Sequence, residues 1–249
     1  MDPLGEKYYS WSGYNYVMDS PLLLVDPDGR YVLPSEKSKK YPKLDNYLKY
    51  GMASLLSQEE IRSGLKVIGN FSDGQIEELA TYGEGLFIEL KQLDNDKIDH
   101  PQGMEVNGYT PEVWGGRIQI DETLAFQLEQ ATTPEEEQAA LLAIVSTILH
   151  ETVHHGGGMS NPENFSSGKF SERIDPYYGE STYFYNGVEV GDDGERGNAF
   201  GNAIWYNGGM DLNFGWDRKQ GEKGLFDQIN LVRRIKNQGR EYVLPNLRF

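Results

Sequence analysis

The chain has 249 residues, and its 39 acidic and 23 basic side chains give it a formal net charge of −16. This charge argues against nucleic acid and anionic membrane surfaces as partners, because their phosphate groups would be repelled. It is compatible with neutral or cationic protein substrates, although solubility alone is the preferred explanation. The chain has no cysteine, so it can form no disulfide. No apolar run reaches the length that spans a bilayer, and the polar, aromatic residues 1–20 contain no signal peptide.

A proline and aspartate pattern closes the first thirty residues. Residues 2–12 read D-P-L-G-E-K-Y-Y-S-W-S, and residues 21–29 match P-x-x-x-x-D-P-x-G at every fixed position. The segment therefore resembles the end of the core domain of Rhs/YD-repeat proteins, with Arg30 where that family often has leucine. The resemblance implies that a variable C-terminal toxin follows, which is secreted or delivered into a target cell within a larger Rhs-type protein and has a cognate immunity protein.

Three segments follow from this resemblance. We expect residues 1–30 to be the tail of the core, residues 31–56 to be a linker or lead-in, and residues 57–249 to be the toxin domain. Within the last of these, capping and periodicity signals predict several elements before residue 131. They are helices over residues 57–68, 72–82 and 121–130, and strands over residues 86–90 and 114–120. His100 is predicted to lie in a surface loop between the two strands.

The longest predicted helix begins just after residue 132. Thr133 is its predicted N-cap, Pro134 suits the first helical position, and Glu136 completes a capping box. The run from residue 139 to residue 149 is apolar on nearly all sides, as is typical of a helix buried in the middle of a domain. Three glycines at positions 156–158 are expected to end the helix.

This helix carries the motif H-E-x-x-H at residues 150–154. Residues four apart lie one turn apart on the same helix face, so the imidazoles of His150 and His154 can bind one metal ion. Glu151 lies beside the first histidine, where it can act as a general base toward the attacking water. The alternative is a buried helix whose histidines only pack or cap its C-terminus, but this leaves Glu151 unexplained.

A catalytic zinc site needs a third protein ligand and one open position. Ser160 stands where a longer H-E-x-x-H-x-x-G-x-x-H motif has its third histidine, and no histidine follows, so the ligand should be a carboxylate. Glu195 is the predicted ligand because it opens a plausible helix, and Glu180 is the second choice. The alternative is that Glu195 is only an acidic helix start favoured by the dipole. The apolar stripe of that helix consists of Ala199, Phe200, Ala203 and Ile204.

A spacing of E-x-G-x-x-F begins at Glu195. With the H-E-x-x-H motif, it makes the chain from about residue 31 similar to the metallopeptidase toxins that follow Rhs cores. These often carry E-x-G-x-x-F-E, and Gly201 stands here at the place of the last glutamate. The resemblance implies a gluzincin-like zinc metalloendopeptidase that binds Zn²⁺ through His150, His154 and Glu195.

The surroundings of the site can also be predicted. An edge strand beside the active-site helix can hold an extended substrate through main-chain hydrogen bonds. Our candidates for that strand are Arg117, Ile118, Gln119 and Ile120, and an internal strand is the equal alternative. Residues 156–194 are rich in Gly, Asn, Ser and Tyr, and we expect a loop that forms one wall of the cleft. A tyrosine of this loop, or His155, could stabilise the oxyanion. The final predicted helix spans residues 224–236.

Taken together, the sequence predicts an α+β zincin-like domain with an active-site helix, a small sheet with an edge strand, and a second helix that carries a ligand. Its predicted function is hydrolysis of peptide bonds in a target-cell protein by a zinc-dependent endopeptidase, without nucleic acid or membrane as partner. Two alternatives use the same residues. One is a non-catalytic carrier or adhesion module with a structural metal, and the other is a metal-dependent amidase or deamidase.

Overall fold

The computed structural model describes residues 31, 33–81, 86–93, 108–110, 117–157, 166–208 and 222–247. The expected core tail at residues 1–30, and the loop histidine His100, lie outside these ranges. The helices are α1 (Ser35–Lys40), α2 (Pro42–Tyr50), α3 (Met52–Leu56), α4 (Glu59–Val67), α5 (Asp73–Ala80), α6 (Glu122–Gln130), α7 (Pro134–Gly157), α8 (Arg196–Ile204) and α9 (Glu222–Asn237). The strands are β1 (Phe87–Lys91), β2 (Gly108–Tyr109), β3 (Arg117–Asp121), β4 (Ser166–Ser167), β5 (Phe170–Ile174), β6 (Ser181–Tyr185) and β7 (Val188–Asp192). This is the α+β class that the sequence predicts.

Helix α7 is the central element of the core. Its predicted capping box is confirmed, since the Glu136 amide donates to Thr133 Oγ1 at 3.2 Å and the Thr133 amide donates to Glu136 Oε2 at 3.0 Å. Every residue from 139 to 149 is buried. Helices α6, α8 and α9 and strands β2 and β3 all pack against α7. The all-round apolar run is therefore explained, because residues 139–149 have protein on every side, whereas His150 and His154 further along the helix are partly exposed.

The first sheet has the strand order β1-β3-β2. Strand β3 pairs in parallel with β1 along its whole length, and Gln119 and Ile120 pair with β2 on the other side. The prediction that Arg117, Ile118, Gln119 and Ile120 form the edge strand is therefore wrong. The segment Gly108–Tyr109 pairs with β3 on the side opposite β1, and sequence periodicity could not reveal this pairing because β2 has only two residues.

The second sheet is antiparallel, with the order β4-β5-β6-β7. It occupies residues 166–192, where we expected a loop, so that prediction is wrong for this range. Two signals in the sequence point to it. Tyr183 and Tyr185 alternate with less buried residues, which is the period of a strand. Asn186 and Gly187 follow, both with positive φ, and Asn-Gly is the typical pair of a two-residue hairpin turn.

The folded unit begins earlier than residue 57. Helices α1 to α3 lie within residues 35–56, and the buried side chains of α2 and α3 belong to the same core cluster as α7. Two lysines of α1 and the tyrosine between α1 and α2 also bind Glu122 at the start of α6, with Lys37 Nζ at 2.7 Å, Lys40 Nζ at 2.8 Å and Tyr41 Oη at 2.6 Å. The lead-in is thus part of the domain. Within the described ranges, no helix is both long and apolar enough to cross a membrane.

Candidate metal centre

The C-terminal turn of α7 presents the two histidines of the motif on one face. His150 Nε2 lies 3.2 Å from His154 Nε2, and the ring centroids are 4.9 Å apart. The side chains are 20% and 28% exposed. Both rings therefore direct one nitrogen toward a common point that solvent can still reach, as the four-residue spacing predicts.

Glu195 reaches the same point from the other side of the cleft. Strand β7 leads into a 3₁₀ turn over Asp193–Glu195, and Glu195 is the N-cap of α8. The turn is held by the Ser181 amide, which donates to Asp193 Oδ2 at 3.1 Å. Glu195 Oε2 lies 3.7 Å from His150 Nε2 and 3.6 Å from His154 Nε2. The structure thus brings together the three residues that the sequence selects as a ligand set.

The helix that follows Glu195 is packed as predicted. Ala199, Phe200, Ala203 and Ile204 are all fully buried. Helix α8 contacts α7, α4 and β7, so Glu195, which directly precedes α8, has a defined position relative to the histidines. Packing of this apolar stripe, together with the Ser181–Asp193 hydrogen bond, places Glu195 beside the two histidines.

The donor set fits a metal ion. Donor atoms about 2.0–2.1 Å from a tetrahedral zinc ion lie about 3.4 Å from one another. The distances here among the two Nε2 atoms and Oε2 are 3.2, 3.6 and 3.7 Å, which bracket that value. Among the described residues, these three form the group of His, Asp and Glu side chains whose ligand atoms all lie within 4.8 Å of one another. Two imidazoles and one carboxylate are a set that zinc prefers.

Of the two histidines, His150 already has the protonation state that a metal ligand needs, whereas His154 must give up its proton to bind a metal. Burial, together with the neighbouring His154, lowers the pKa of His150 to about 4, so that its ring is neutral near pH 7. Burial also acts to lower the pKa of His154, but the hydrogen bond with Glu195 and the charge of Glu151 outweigh it and raise that pKa. The same contact with His154 holds the pKa of Glu195 below its usual value. The carboxylate is therefore ionised, as a ligand must be.

Glu151 faces the cleft beside the ligand set. Its side chain is buried, and Oε1 lies 4.0 Å from His150 Nε2. Burial raises its pKa to about 7, because the charged form loses hydration, while a hydrogen bond from Thr110 opposes the shift. A carboxyl group with a pKa near neutrality can both accept and release a proton at the pH of a cell, which is what a general base needs.

The other predicted candidates lie elsewhere or have other contacts. Glu180 is exposed beside the β5–β6 turn and is not part of the ligand cluster. Tyr177 and Tyr178 are 90% and 80% exposed at that turn, and Tyr185 donates its hydroxyl proton to Glu60. Thr110 and Gly108, which contact Glu151, were missed, because no local pattern links them to a residue so distant in the chain.

Comparisons with known proteins point to one family. A family model described as metallopeptidase toxin 3 matches residues 37–206. This range starts within α1 and ends just after α8, so it includes the H-E-x-x-H motif and Glu195. No curated protein and no solved structure matches the chain.

Proposed function

This chain belongs to the metallopeptidase toxin 3 family, and we propose that it is a zinc-dependent endopeptidase that hydrolyses peptide bonds of a target-cell protein. Membership alone supports a metalloprotease with a toxic role. The observation that supports the finer assignment is the convergence of His150, His154 and Glu195, with Glu151 buried beside them. Among the residues that the structure describes, the cluster offers three protein ligands and not four, which favours a catalytic site over a structural one.

The two histidines and Glu195 would hold the zinc ion. When bound, zinc supplies Lewis acidity, which makes a water molecule more acidic and polarises the scissile carbonyl. The side chain of Glu195 is 58% exposed, whereas His150 and His154 lie deeper, so the ligand set is open toward solvent on one side. A polypeptide can approach from that side.

Glu151 acts as the general base. It takes the proton of the attacking water on a carboxylate oxygen and then delivers that proton to the nitrogen of the leaving amine. Its raised pKa, about 7, suits both steps, since neither its neutral nor its ionised form is strongly disfavoured near pH 7. The proton thus returns to the product, and Glu151 ends each cycle as a carboxylate.

Strand β2, and not β3, is the strand that would hold an extended substrate. Gly108–Tyr109 pairs with β3 on one side, and the part of the chain that the structure describes contains no strand on its other side. Gly108 also lies against Glu151, so an extended substrate that pairs with β2 would pass close to the base. Main-chain pairing of this kind would position a peptide bond with little demand on its side chains.

The biological setting remains part of the proposal. The pattern at residues 21–29 supports delivery into a target cell within a larger Rhs-type protein, with a cognate immunity protein that protects the producer. The net charge of −16 disfavours nucleic acid and anionic membranes as targets. We therefore place the action of the toxin on a protein of the recipient cell.

A cleavage experiment tests this function. The full chain, loaded with zinc, is incubated with a cell extract, and new peptide N-termini are identified by mass spectrometry. We expect wild-type protein to generate them and Glu151→Gln to generate none while it retains zinc, because the base is lost but the ligands remain. His154→Ala should lose the zinc itself. Cleavage by Glu151→Gln at the wild-type rate, or hydrolysed side-chain amides without new termini, would overturn the proposal.

A further inference from the structure

The hydroxyl group of Thr110 contacts Glu151 twice. Thr110 directly follows β2, and its Oγ1 lies 2.8 Å from Oε2 of the Glu151 carboxyl and 2.9 Å from the main-chain oxygen of the same residue. The two residues are 41 positions apart in the chain. Both distances are those of ordinary hydrogen bonds that involve a hydroxyl group.

These contacts restrict the Glu151 side chain. A glutamate has three rotatable side-chain bonds, and its carboxyl group can move several ångströms when nothing holds it. A hydroxyl has one proton, so Thr110 donates to one of these two acceptor oxygens at a time and can switch between them without leaving its place. Because both oxygens belong to Glu151, the hydroxyl keeps the carboxyl group close to the main chain of α7.

The neighbouring residues close the remaining space. A Cβ atom on Gly108 would lie 2.7 Å from both Cγ and Oε1 of Glu151, and 2.8 Å from the methyl group of Thr147. The side chain of Glu151 is therefore confined in a slot between β2 and α7, and it is only 7% exposed. Steric confinement determines the path of the Glu151 side chain, and the hydrogen bond with Thr110 determines the orientation of its carboxyl group.

We propose that Thr110 is a positioning residue for hydrolysis: its hydroxyl group holds the Glu151 carboxyl group in the orientation in which it receives the proton of the attacking water. The proposal rests on the proposed function only for the role of Glu151 as the base. Thr110 itself gains and loses no proton over the reaction. A displacement of the carboxyl group by about 1 Å would be enough to lower the rate strongly.

Two substitutions separate the hydroxyl group from the shape of the side chain. Thr110→Val keeps the volume and the branching but removes the hydroxyl group, whereas Thr110→Ser keeps the hydroxyl group. We expect the valine variant to lower kcat by about 10-fold or more with KM and zinc content unchanged, and the serine variant to stay within about 3-fold of wild type. If the valine variant does not fold, Thr110→Ala replaces it.

A matched control comes from the same region. The Thr147 hydroxyl donates to the main-chain oxygen of Ala143 within α7, so Thr147→Val is the same exchange at a more deeply buried position. We expect it to leave kcat within about 3-fold of wild type. An equal loss of kcat in both valine variants, or no loss in Thr110→Val, would overturn the proposal.

A crystal structure of Thr110→Val without metal gives a readout that does not depend on activity. We expect the Glu151 carboxyl group to be turned away from its wild-type position or spread over several orientations. An unchanged carboxyl group would refute the positioning role even if activity fell. Conversely, a wild-type protein that cleaves nothing would refute the proposed function, and the crystal structure would still decide whether Thr110 orients Glu151.

Discussion

Gly197 lies directly against the imidazole ring of His150. A Cβ atom on Gly197 would come within 2.4 Å of both Cγ and Nδ1 of that ring, a distance that real Cβ atoms do not show. Gly197 is the second residue of α8, two positions after Glu195. The absence of a side chain therefore lets α8 approach α7 closely enough for Glu195 to join the two histidines.

Gly197→Ala should weaken zinc binding for this reason. The methyl group must push α8 away from α7 or turn the His150 ring, and either movement separates the ligand atoms. We expect zinc content after dialysis to fall well below one ion per chain. Gly74→Ala is the matched control, because Gly74 is also the second residue of a helix, α5, and no atom lies within 4 Å of its added Cβ. Zinc bound by Gly197→Ala as in wild type would contradict the expectation.

The two glutamates considered as third ligand can be compared directly. Glu195→Ala removes the carboxylate that lies 3.6 Å from His154 Nε2, so we expect the zinc affinity to drop by 10-fold or more, on the order of a lost ligand contact. Glu180→Ala removes an exposed carboxylate outside the ligand cluster, and its zinc affinity should equal that of wild type. Competition with a chromogenic chelator measures both affinities. The reverse ranking would move the ligand assignment to Glu180.

A buried ion pair ties the end of the chain to α4. Arg240 Nη2 lies 2.5 Å from Glu60 Oε1, and Tyr242 Oη lies 2.5 Å from Glu60 Oε2. Arg240→Leu leaves the Glu60 carboxylate without its buried cation, so the free energy of unfolding should fall by about 3–5 kcal/mol. Urea denaturation measures the loss.

The control for this pair is an exposed one. Arg233 Nη2 lies 2.8 Å from Glu135 Oε2, with both side chains about half exposed. Arg233→Leu should lower the free energy of unfolding by only about 0–1 kcal/mol, because water screens the pair. If both leucine variants lowered the free energy of unfolding by the same small amount, the Glu60–Arg240 pair would not stabilise the C-terminal segment as proposed.

The Glu122 cluster predicts a dependence of stability on pH. Burial acts to raise the pKa of Glu122, but hydrogen bonds from Lys37, Lys40 and Tyr41 outweigh it and lower the pKa from 4.5 to about 2. The pKa of Glu122 is lower in the folded state than in the unfolded state. The stabilisation that its contacts give to the folded state is therefore complete above about pH 4.5 and is lost as the pH falls toward 2. Glu122→Gln should therefore lower Tm at neutral pH, and the difference from wild type should shrink with acidification. A difference in Tm that stays constant over this range would contradict the assignment.

The sequence predicts some of the elements around the site correctly and others wrongly. Glu195 was selected over Glu180 because an apolar stripe follows it, and the stripe is buried as expected. The sequence predicts a loop in place of the second sheet, because the polar composition of this region obscures the strand period, although Asn186 and Gly187 mark its hairpin. The sequence predicts β3 as the edge strand, whereas β2 lies at the edge. Whether a strand lies at an edge depends on which other segments pair with it, and the sequence of one strand does not show this.

The sequence by itself determined the helix of residues 134–157, its capping box and the common face of His150 and His154, because a helix relates residues three to four apart by local geometry. Only the tertiary structure decided that Glu195 completes the ligand set, that Gly197 permits the approach of α8, and that Thr110 contacts Glu151. These relationships join segments tens of residues apart. They arise from the packing of the whole core, which no local pattern encodes.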